Sequence, residues 1–164
     1  MTTSESGESP TVEDPTLTVT GRGGSIVTRG IYGEEIKETF DAKAIRAVDG
    51  DTIELLLDDG THPNFRLASI DAPEKNQPFG SKATEAVKEL CVGKNVTVHQ
   101  TGVDGLRLNA ELIRLGLAWH YKKYSDDDEL AGVENDAREA KQGLWADTEP
   151  VAPWTWRKQQ RESE

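Results

Sequence analysis

Apolar and polar residues alternate most clearly between residues 42 and 70. A period of two is typical of strands with one buried face, and it predicts β-strands at residues 42–48, 51–58 and 65–70. The pair Asp59-Gly60 lies between the second and third strands and favours a hairpin turn. We therefore expect an antiparallel hairpin centred near Thr61.

Apolar residues with helical spacing dominate the second half of the chain. They predict a first helix over residues 81–91. A second predicted helix is capped by Asn109 and runs to about Trp119, and a third begins at Ser125 and is stopped by Gly143. A further strand is predicted at residues 95–99. This order of elements does not match a βαβ alternation, so we expect an α+β fold and no parallel sheet.

The two ends of the chain carry weaker patterns. Residues 1–15 are rich in Ser, Thr, Glu and Pro and predict a disordered tail, while residues 16–33 alternate weakly and fit either a short hairpin or a linker. We predict three parts, which are an acidic, disordered or weakly structured extension over 1–34, a globular domain over 35–157 and a frayed tail over 158–164.

Composition adds a strong negative charge to this small domain. The chain has 30 Asp and Glu against 19 Lys and Arg, a net charge of −11. A field of this sign repels phosphate chains, which at first argues against a nucleic-acid partner. The single cysteine, Cys91, excludes an internal disulfide and a zinc site built from cysteines, and we interpret it as a buried small residue.

The chain contains no apolar run of the length that a membrane span needs. Its first eight residues have neither the basic nor the apolar region of a secretory signal. We therefore expect a cytoplasmic protein without a membrane partner.

Three acidic residues stand near the open end of the predicted hairpin. Facing residues of an antiparallel pair have numbers with a constant sum, here about 122, and Asp51 and Asp71 meet that sum. Glu74 follows in a loop that contains proline. Crowded carboxylates repel one another, and a hard cation such as Ca²⁺ relieves the repulsion through oxygen ligands. The same residues also occur in ordinary turns and at the start of helices, so a purely structural role stays open.

Arg66 lies on the return strand of the hairpin, and its planar guanidinium suits bidentate binding of a phosphate. Five strand residues span about 16 Å, so a bend is needed to bring Arg66 to Asp71. Tyr121 and Tyr124, beside two lysines, are candidates for contact with a nucleotide. In contrast, the acidic run at residues 126–129 is expected to stabilise the start of a helix.

Several short motifs occur in an order that resembles the staphylococcal-nuclease-like (thermonuclease) family. They are Val48-Asp-Gly-Asp-Thr52, Phe65-Arg-Leu-Ala-Ser-Ile-Asp-Ala-Pro-Glu74, Gln77-Pro-Phe-Gly80, Asn109-Ala-Glu-Leu-Ile-Arg-Leu-Gly-Leu-Ala-Trp119 and Gly143-Leu-Trp145. The resemblance covers residues 42–157. It implies an OB-fold barrel with about three helices and Ca²⁺-dependent hydrolysis of phosphodiester bonds in DNA or RNA, which we expect to be single-stranded.

The resemblance also implies a role for each matching position. Asp51, Asp71 and the main-chain carbonyl of Ala72 correspond to the ligands of Ca²⁺. Glu74 corresponds to the residue that activates or positions the attacking water, and Arg66 to an arginine that binds the phosphate. Asp49 is similarly expected to lie beside these metal ligands.

One segment departs from the family pattern. A Tyr-Gly-Arg stretch, which carries a second phosphate-binding arginine and leads into the fifth strand, is missing between His99 and Asn109. The barrel is therefore expected to lack one strand unless residues 16–20 or 25–32 dock on the open edge, or two chains exchange strands. Arg107 and Arg114 are basic residues near the gap, but neither matches a catalytic position.

Two functions are consistent with these features, and a third possibility is a chain that does not fold stably. The four retained side chains at positions 51, 66, 71 and 74 favour a metal-dependent nuclease, impaired by the missing arginine. The missing arginine itself favours a degenerate OB module that binds nucleic acid or a protein partner without cutting. We expect a monomer, with a strand-exchanged dimer as the alternative.

Overall fold

The computed structural model describes residues 17–23, 39–99 and 108–164. The strands in these residues are β1 (Leu17–Gly23), β2 (Thr39–Ala47), β3 (Thr52–Leu56), β4 (Asn64–Leu67), β5 (Ile70–Asp71), β6 (Asn95–His99) and β7 (Trp119–His120). The α-helices are α1 (Gly80–Cys91), α2 (Leu108–Arg114), α3 (Asp128–Glu139) and α4 (Pro153–Glu162), and a 3₁₀ turn spans Gly143–Ala146. None of the described helices is long and apolar enough to cross a membrane.

Five strands form a closed barrel in the order β1, β4, β3, β2, β6, and a separate two-stranded ribbon joins β5 to β7. This is the OB-fold barrel that the family resemblance implies, with helices packed around it. The apolar positions of β3 and β4 alternate as expected, and Ile53, Leu55, Phe65 and Leu67 are fully buried in the barrel interior.

The edge that the sequence left open is filled by β1. This strand runs antiparallel to β4, where Gly21 faces Leu67, and parallel to β6, where Leu17 faces Val96. Edge strands carry unpaired N–H and C=O groups, and β1 pairs with both edges at once. It includes most of the segment 16–20 that we expected to dock there, whereas segment 25–32 and Arg107 lie outside the described residues.

The register of the central hairpin differs from our prediction by four residues. Ile53 faces Phe65 instead of a residue near 69, because the chain turns at residues 58–60 and not around Thr61. The Asp59 carboxylate accepts hydrogen bonds from the amide and the hydroxyl of Thr61, at 2.9 and 2.6 Å. Together with Gly60 at φ 81°, these bonds close a tighter turn than the prediction assumed.

Two predicted helix starts are wrong by a few residues. Asn109 lies inside α2 and not before it, and α2 ends at Arg114 because Gly116 takes a positive φ. Helix α3 is capped by Asp127, whose carboxylate accepts the amide of Leu130 at 3.1 Å. The acidic run therefore does begin a helix, as expected from the helix dipole.

The C-terminal end contains a helix that the sequence analysis did not predict. Helix α4 reaches Glu162, so most of the segment 158–164, predicted to be a frayed tail, is helical. Pro153 stands in the first turn. Proline is favoured there because backbone N–H groups in the first turn have no acceptor within the helix, so the N–H that proline lacks is not needed. Cys91 is buried as predicted, and burial raises the pKa of its thiol to about 11.

Candidate active site

The chain bends sharply between Arg66 and Asp71, as the sequence required. Strand β4 ends at Leu67, and Ser69 takes a left-handed conformation with φ 67°. The bend is held by α2, because the side-chain amide of Asn109 donates to the carbonyl oxygen of Ala68 at 2.7 Å. The chain then resumes as β5, which brings Asp71 back towards the hairpin.

Asp51 and Asp71 both contact the Arg66 guanidinium. A single nitrogen, Nη2 of Arg66, is 3.3 Å from Oδ2 of Asp51 and 3.5 Å from Oδ1 of Asp71. Oδ2 of Asp51 also accepts the backbone N–H of Ala72 at 3.0 Å. The pair predicted from the hairpin therefore forms, although the bend and not the strand register brings it together.

Both carboxylates of this pair are buried. Asp71 is only 1% exposed, and Asp51 is nearly as enclosed. Burial raises the pKa of Asp51 to about 7, although the nearby Arg66 charge and the Ala72 amide lower it. Asp49 raises it further and accepts the Asp51 amide at 3.1 Å, so it contacts the pair as predicted.

Arg157 is a member of this site that the sequence analysis missed. Its Nη2 donates to Oδ2 of Asp71 at 2.7 Å, and its Nη1 donates to Oδ1 of Asp71 at 3.1 Å and to Oε1 of Glu74 at 2.8 Å. These bonds raise the pKa of Arg157 above its ordinary range. Pro153 at the start of an amphipathic segment was the sequence signal for the helix that carries it, but nothing local indicated where that helix docks.

Helix α4 is anchored beside the loop that carries Glu74. The side chain of Gln77 accepts the Glu74 amide at 3.1 Å and donates to the carbonyl of Val151 at 2.6 Å. The indole of Trp156 donates to the side chain of Asn76 at 3.2 Å. These bonds join the middle of the chain to its C-terminal end, and they position Arg157 over the two carboxylates.

Close packing holds the Glu74 loop from the other side. A Cβ atom at Gly80 would collide with the carbonyl oxygen of Glu74, so the first turn of α1 lies directly against the loop. A Cβ atom at Gly50 would lie 2.7 Å from the methyl carbons of Ala72 and Ala83. The acidic residues therefore stand on a rigid, densely packed base.

Oxygen atoms that suit a hard cation come from Asp51, Asp71 and the carbonyl of Ala72. Within the part of the chain that the structure describes, no group of three or more His, Cys, Asp or Glu side chains is arranged to hold a metal ion. Asp51 and Asp71 instead contact arginine, and Glu74 is joined to Asp71 through Arg157. The site is thus a cluster of three acids held by two guanidinium groups.

The two candidate nucleotide contacts, Tyr121 and Tyr124, lie in different environments. Tyr121 stacks on Trp154 with ring centroids 5.1 Å apart and planes 12° apart, while Tyr124 is 70% exposed and meets Tyr121 edge-on. Trp154 precedes Arg157 by one helical turn, so this aromatic group lies next to the acidic cluster along α4. A cleft of about 430 Å³ opens beside it, lined by Trp119, Lys122 and Arg138 among others.

Comparisons with known proteins agree with this fold. Residues 64–147 match the model of the family described as staphylococcal nuclease homologue. An uncharacterized endonuclease of Escherichia coli O157:H7 is 40% identical over 128 residues, which cover 70% of this chain and 83% of that protein. The chain belongs to the staphylococcal nuclease family.

Other relatives support the same assignment. An uncharacterized endonuclease of Haemophilus influenzae is 34% identical over 137 residues, covering 76% of this chain and 77% of the relative. A micrococcal nuclease of Shigella flexneri is 32% identical over 142 residues, covering 73% and 81%. The staphylococcal nuclease family is one of hydrolases, and this chain is a nuclease-type hydrolase of that family. The family match ends at residue 147, so it does not include helix α4.

Proposed function

We propose that this protein is a Ca²⁺-dependent nuclease that hydrolyses phosphodiester bonds in single-stranded DNA or RNA. The observation that carries the proposal is the contact of one Arg66 nitrogen with both Asp51 and Asp71. It brings a phosphate-binding group and two buried carboxylates together at one point. Glu74 lies beside them through its bond to Arg157.

The chemistry of the donor atoms fits a hard cation. Asp51, Asp71 and the Ala72 carbonyl offer oxygen, which is the ligand that Ca²⁺ takes in proteins. Burial disfavours the charged form of Asp51, as its raised pKa indicates, and a cation beside it would relieve that cost. The arginine contacts of both carboxylates show that positive charge is already favoured at this position.

Each side chain then has a distinct role. A bound Ca²⁺ would supply positive charge against the phosphate oxygens. Arg66 holds the two carboxylates through one nitrogen, and its side chain is 46% exposed, so its other N–H donors can bind the phosphate and stabilise developing charge. Glu74 is 39% exposed and can orient an attacking water and accept its proton.

The net charge of −11 is compatible with this function, but it limits how the protein can bind nucleic acid. Long-range attraction to nucleic acid is not available, so binding should be weak and should depend on the cation at the site. The exposed ring of Tyr124, held against Tyr121, offers a surface on which a base can stack, a contact that tolerates negative charge nearby and favours unpaired strands.

Cleavage of labelled oligonucleotides tests the proposal. Single-stranded DNA and RNA of the same sequence are incubated with the protein in Ca²⁺ or in excess chelator. We expect cleavage with Ca²⁺ only, and a fall in kcat of about 10²- to 10⁴-fold in Glu74→Gln, because the variant cannot accept a proton from water. Glu85→Gln, an exposed change on α1, serves as the control and should keep full activity.

Two results would contradict the proposal. Equal cleavage in chelator would remove the role of the cation, and full activity in Glu74→Gln would remove the role of that carboxylate. Calcium binding without any cleavage would favour the alternative, a degenerate module that binds nucleic acid or a protein. We expect a monomer rather than a strand-exchanged dimer, and size-exclusion chromatography of the same sample checks this.

A further inference from the structure

Arg157 makes more contacts with acidic side chains than an ordinary surface ion pair does. Its guanidinium binds both oxygens of Asp71, a carboxylate that is 1% exposed, and one oxygen of Glu74. The Arg157 side chain itself remains 34% exposed. It therefore reaches from solvent into the acidic cluster, and a ligand that enters the cluster from solvent meets it.

Arg157 and Arg66 converge on the same atom. Oδ1 of Asp71 accepts from Nη1 of Arg157 at 3.1 Å and from Nη2 of Arg66 at 3.5 Å. The two guanidinium groups are thus neighbours that share one carboxylate oxygen. A phosphodiester has two non-bridging oxygens, and two adjacent guanidinium groups can bind both of them and the charge that develops between them.

The contacts of Arg157 also compete with a cation. Both Asp71 oxygens are engaged by its two terminal nitrogens, and a cation bound to Asp71 needs lone pairs on the same oxygens. A cation bound to Asp71 would also repel the positive charge of the Arg157 guanidinium beside it. A cation that takes Asp71 would therefore release the Arg157 fork from that carboxylate while α4 stays anchored through Trp156 and Gln77.

From this geometry we infer that Arg157 is a second phosphate-binding residue of the site, supplied by the C-terminal helix and released for substrate when a cation binds Asp71. The inference rests on the proposed nuclease function. It joins two events, cation binding and arginine release, so that the arginine faces the phosphate only when the cation is present.

Arg157→Gln tests both parts in the full chain. Calcium affinity is measured by titration calorimetry, and kcat and KM are measured on a single-stranded oligonucleotide at saturating Ca²⁺. We expect the Kd for Ca²⁺ to tighten about five- to tenfold because a competing charge is gone. We expect kcat to fall about 10²-fold, because one charged donor to the developing charge is lost.

Arg157→Lys separates charge from geometry. It keeps the positive charge, so the Kd for Ca²⁺ should stay near the wild-type value, but it lacks the planar fork, so kcat should still fall about tenfold. It also keeps the inference testable if the glutamine variant fails to fold. Lys158→Gln removes one charge from the exposed face of the same helix and should change neither quantity.

Three outcomes would overturn the inference. Wild-type kcat in Arg157→Gln would mean that the residue only pairs with the acids, and a higher kcat would mean that it only blocks the cation. An unchanged Kd for Ca²⁺ would remove the competition. Failure of the proposed function gives a different result. In that case the wild-type protein itself does not cut the oligonucleotide with Ca²⁺, and the variants at position 157 do not cut it either.

Discussion

The middle of the chain and its two ends build this protein in different ways. Residues 48–74 carry the first two motifs and most of the acidic site on a hairpin, a bend and a loop that follow one another in sequence. The ends supply β1, which closes the barrel, and α4, which brings Arg157 to the site. Both ends act at positions far from their own place in the chain.

This difference shows where sequence motifs stop being informative. The middle segment folds mainly against its neighbours in sequence, so its alternation, turns and acids indicate its structure directly. The ends have little local pattern because their structure depends on distant partners, namely the free edges of β4 and β6 and the loop at Glu74. A weak local pattern is therefore compatible with an essential tertiary role.

Removal of β1 should have the largest effect. Deleting residues 1–23 leaves the β4 and β6 edges without partners, and we expect a loss of at least about 3 kcal/mol in the free energy of unfolding, since each ladder hydrogen bond is worth about 1 kcal/mol net. Urea unfolding measures the loss. Chromatography should also show self-association through the exposed edges.

Deleting only residues 1–15 is the matched control for β1, because that strand begins at Leu17. The shorter deletion should unfold at the wild-type urea concentration and remain monomeric. If both deletions behave like the full chain, β1 does not contribute to the barrel, and the ends would then be less important than the middle.

Gln77→Ala should have an intermediate effect, because it cuts the link between the middle and the C-terminal end. The buried side chain bonds to the Glu74 amide and to the Val151 carbonyl, and its loss leaves both groups without that partner. We expect a loss of about 1–3 kcal/mol in the free energy of unfolding and a lower kcat. Urea unfolding and the oligonucleotide assay measure these changes.

Gln159→Ala on the exposed side of α4 controls for the loss of a glutamine, and it should change neither quantity. If Gln77→Ala loses stability as expected but keeps the wild-type kcat, the bonds of Gln77 stabilise the fold without affecting the geometry of the site. The anchoring of α4 would then be unimportant for the position of Glu74 and Arg157.

Trp156→Phe should have the smallest effect. The change replaces the indole by a smaller aromatic ring and removes its exposed hydrogen bond to Asn76, and we expect the lost hydrogen bond to cost about 0.5–1 kcal/mol. Asn76→Ala removes the other partner of the same bond, so the double variant should lose less stability in urea unfolding than the sum of the two single losses. Additive losses would show that the two side chains do not act together.

The sequence predicted the acidic site for a partly wrong reason. It paired Asp51 with Asp71 through a hairpin register that is wrong by four residues, and the left-handed bend at Ser69 brings them together instead. The need for that bend was predicted from distance, since Arg66 and Asp71 are too far apart on a straight strand. Burial of the pair, which raises the pKa of Asp51, depends on packing that no local pattern contains.

The sequence by itself determined the α+β class, the strands of the central hairpin, helix α1 and strand β6. These elements follow from periodicity and turn residues, which act over a few positions. The sequence also proposed Asp51, Arg66, Asp71 and Glu74 as site residues, through the resemblance to the family. Only the tertiary structure decided that β1 closes the barrel and that Arg157 joins the site. Both depend on unpaired groups, an open sheet edge and a buried carboxylate, whose partners lie too far away in the chain for any local pattern to identify.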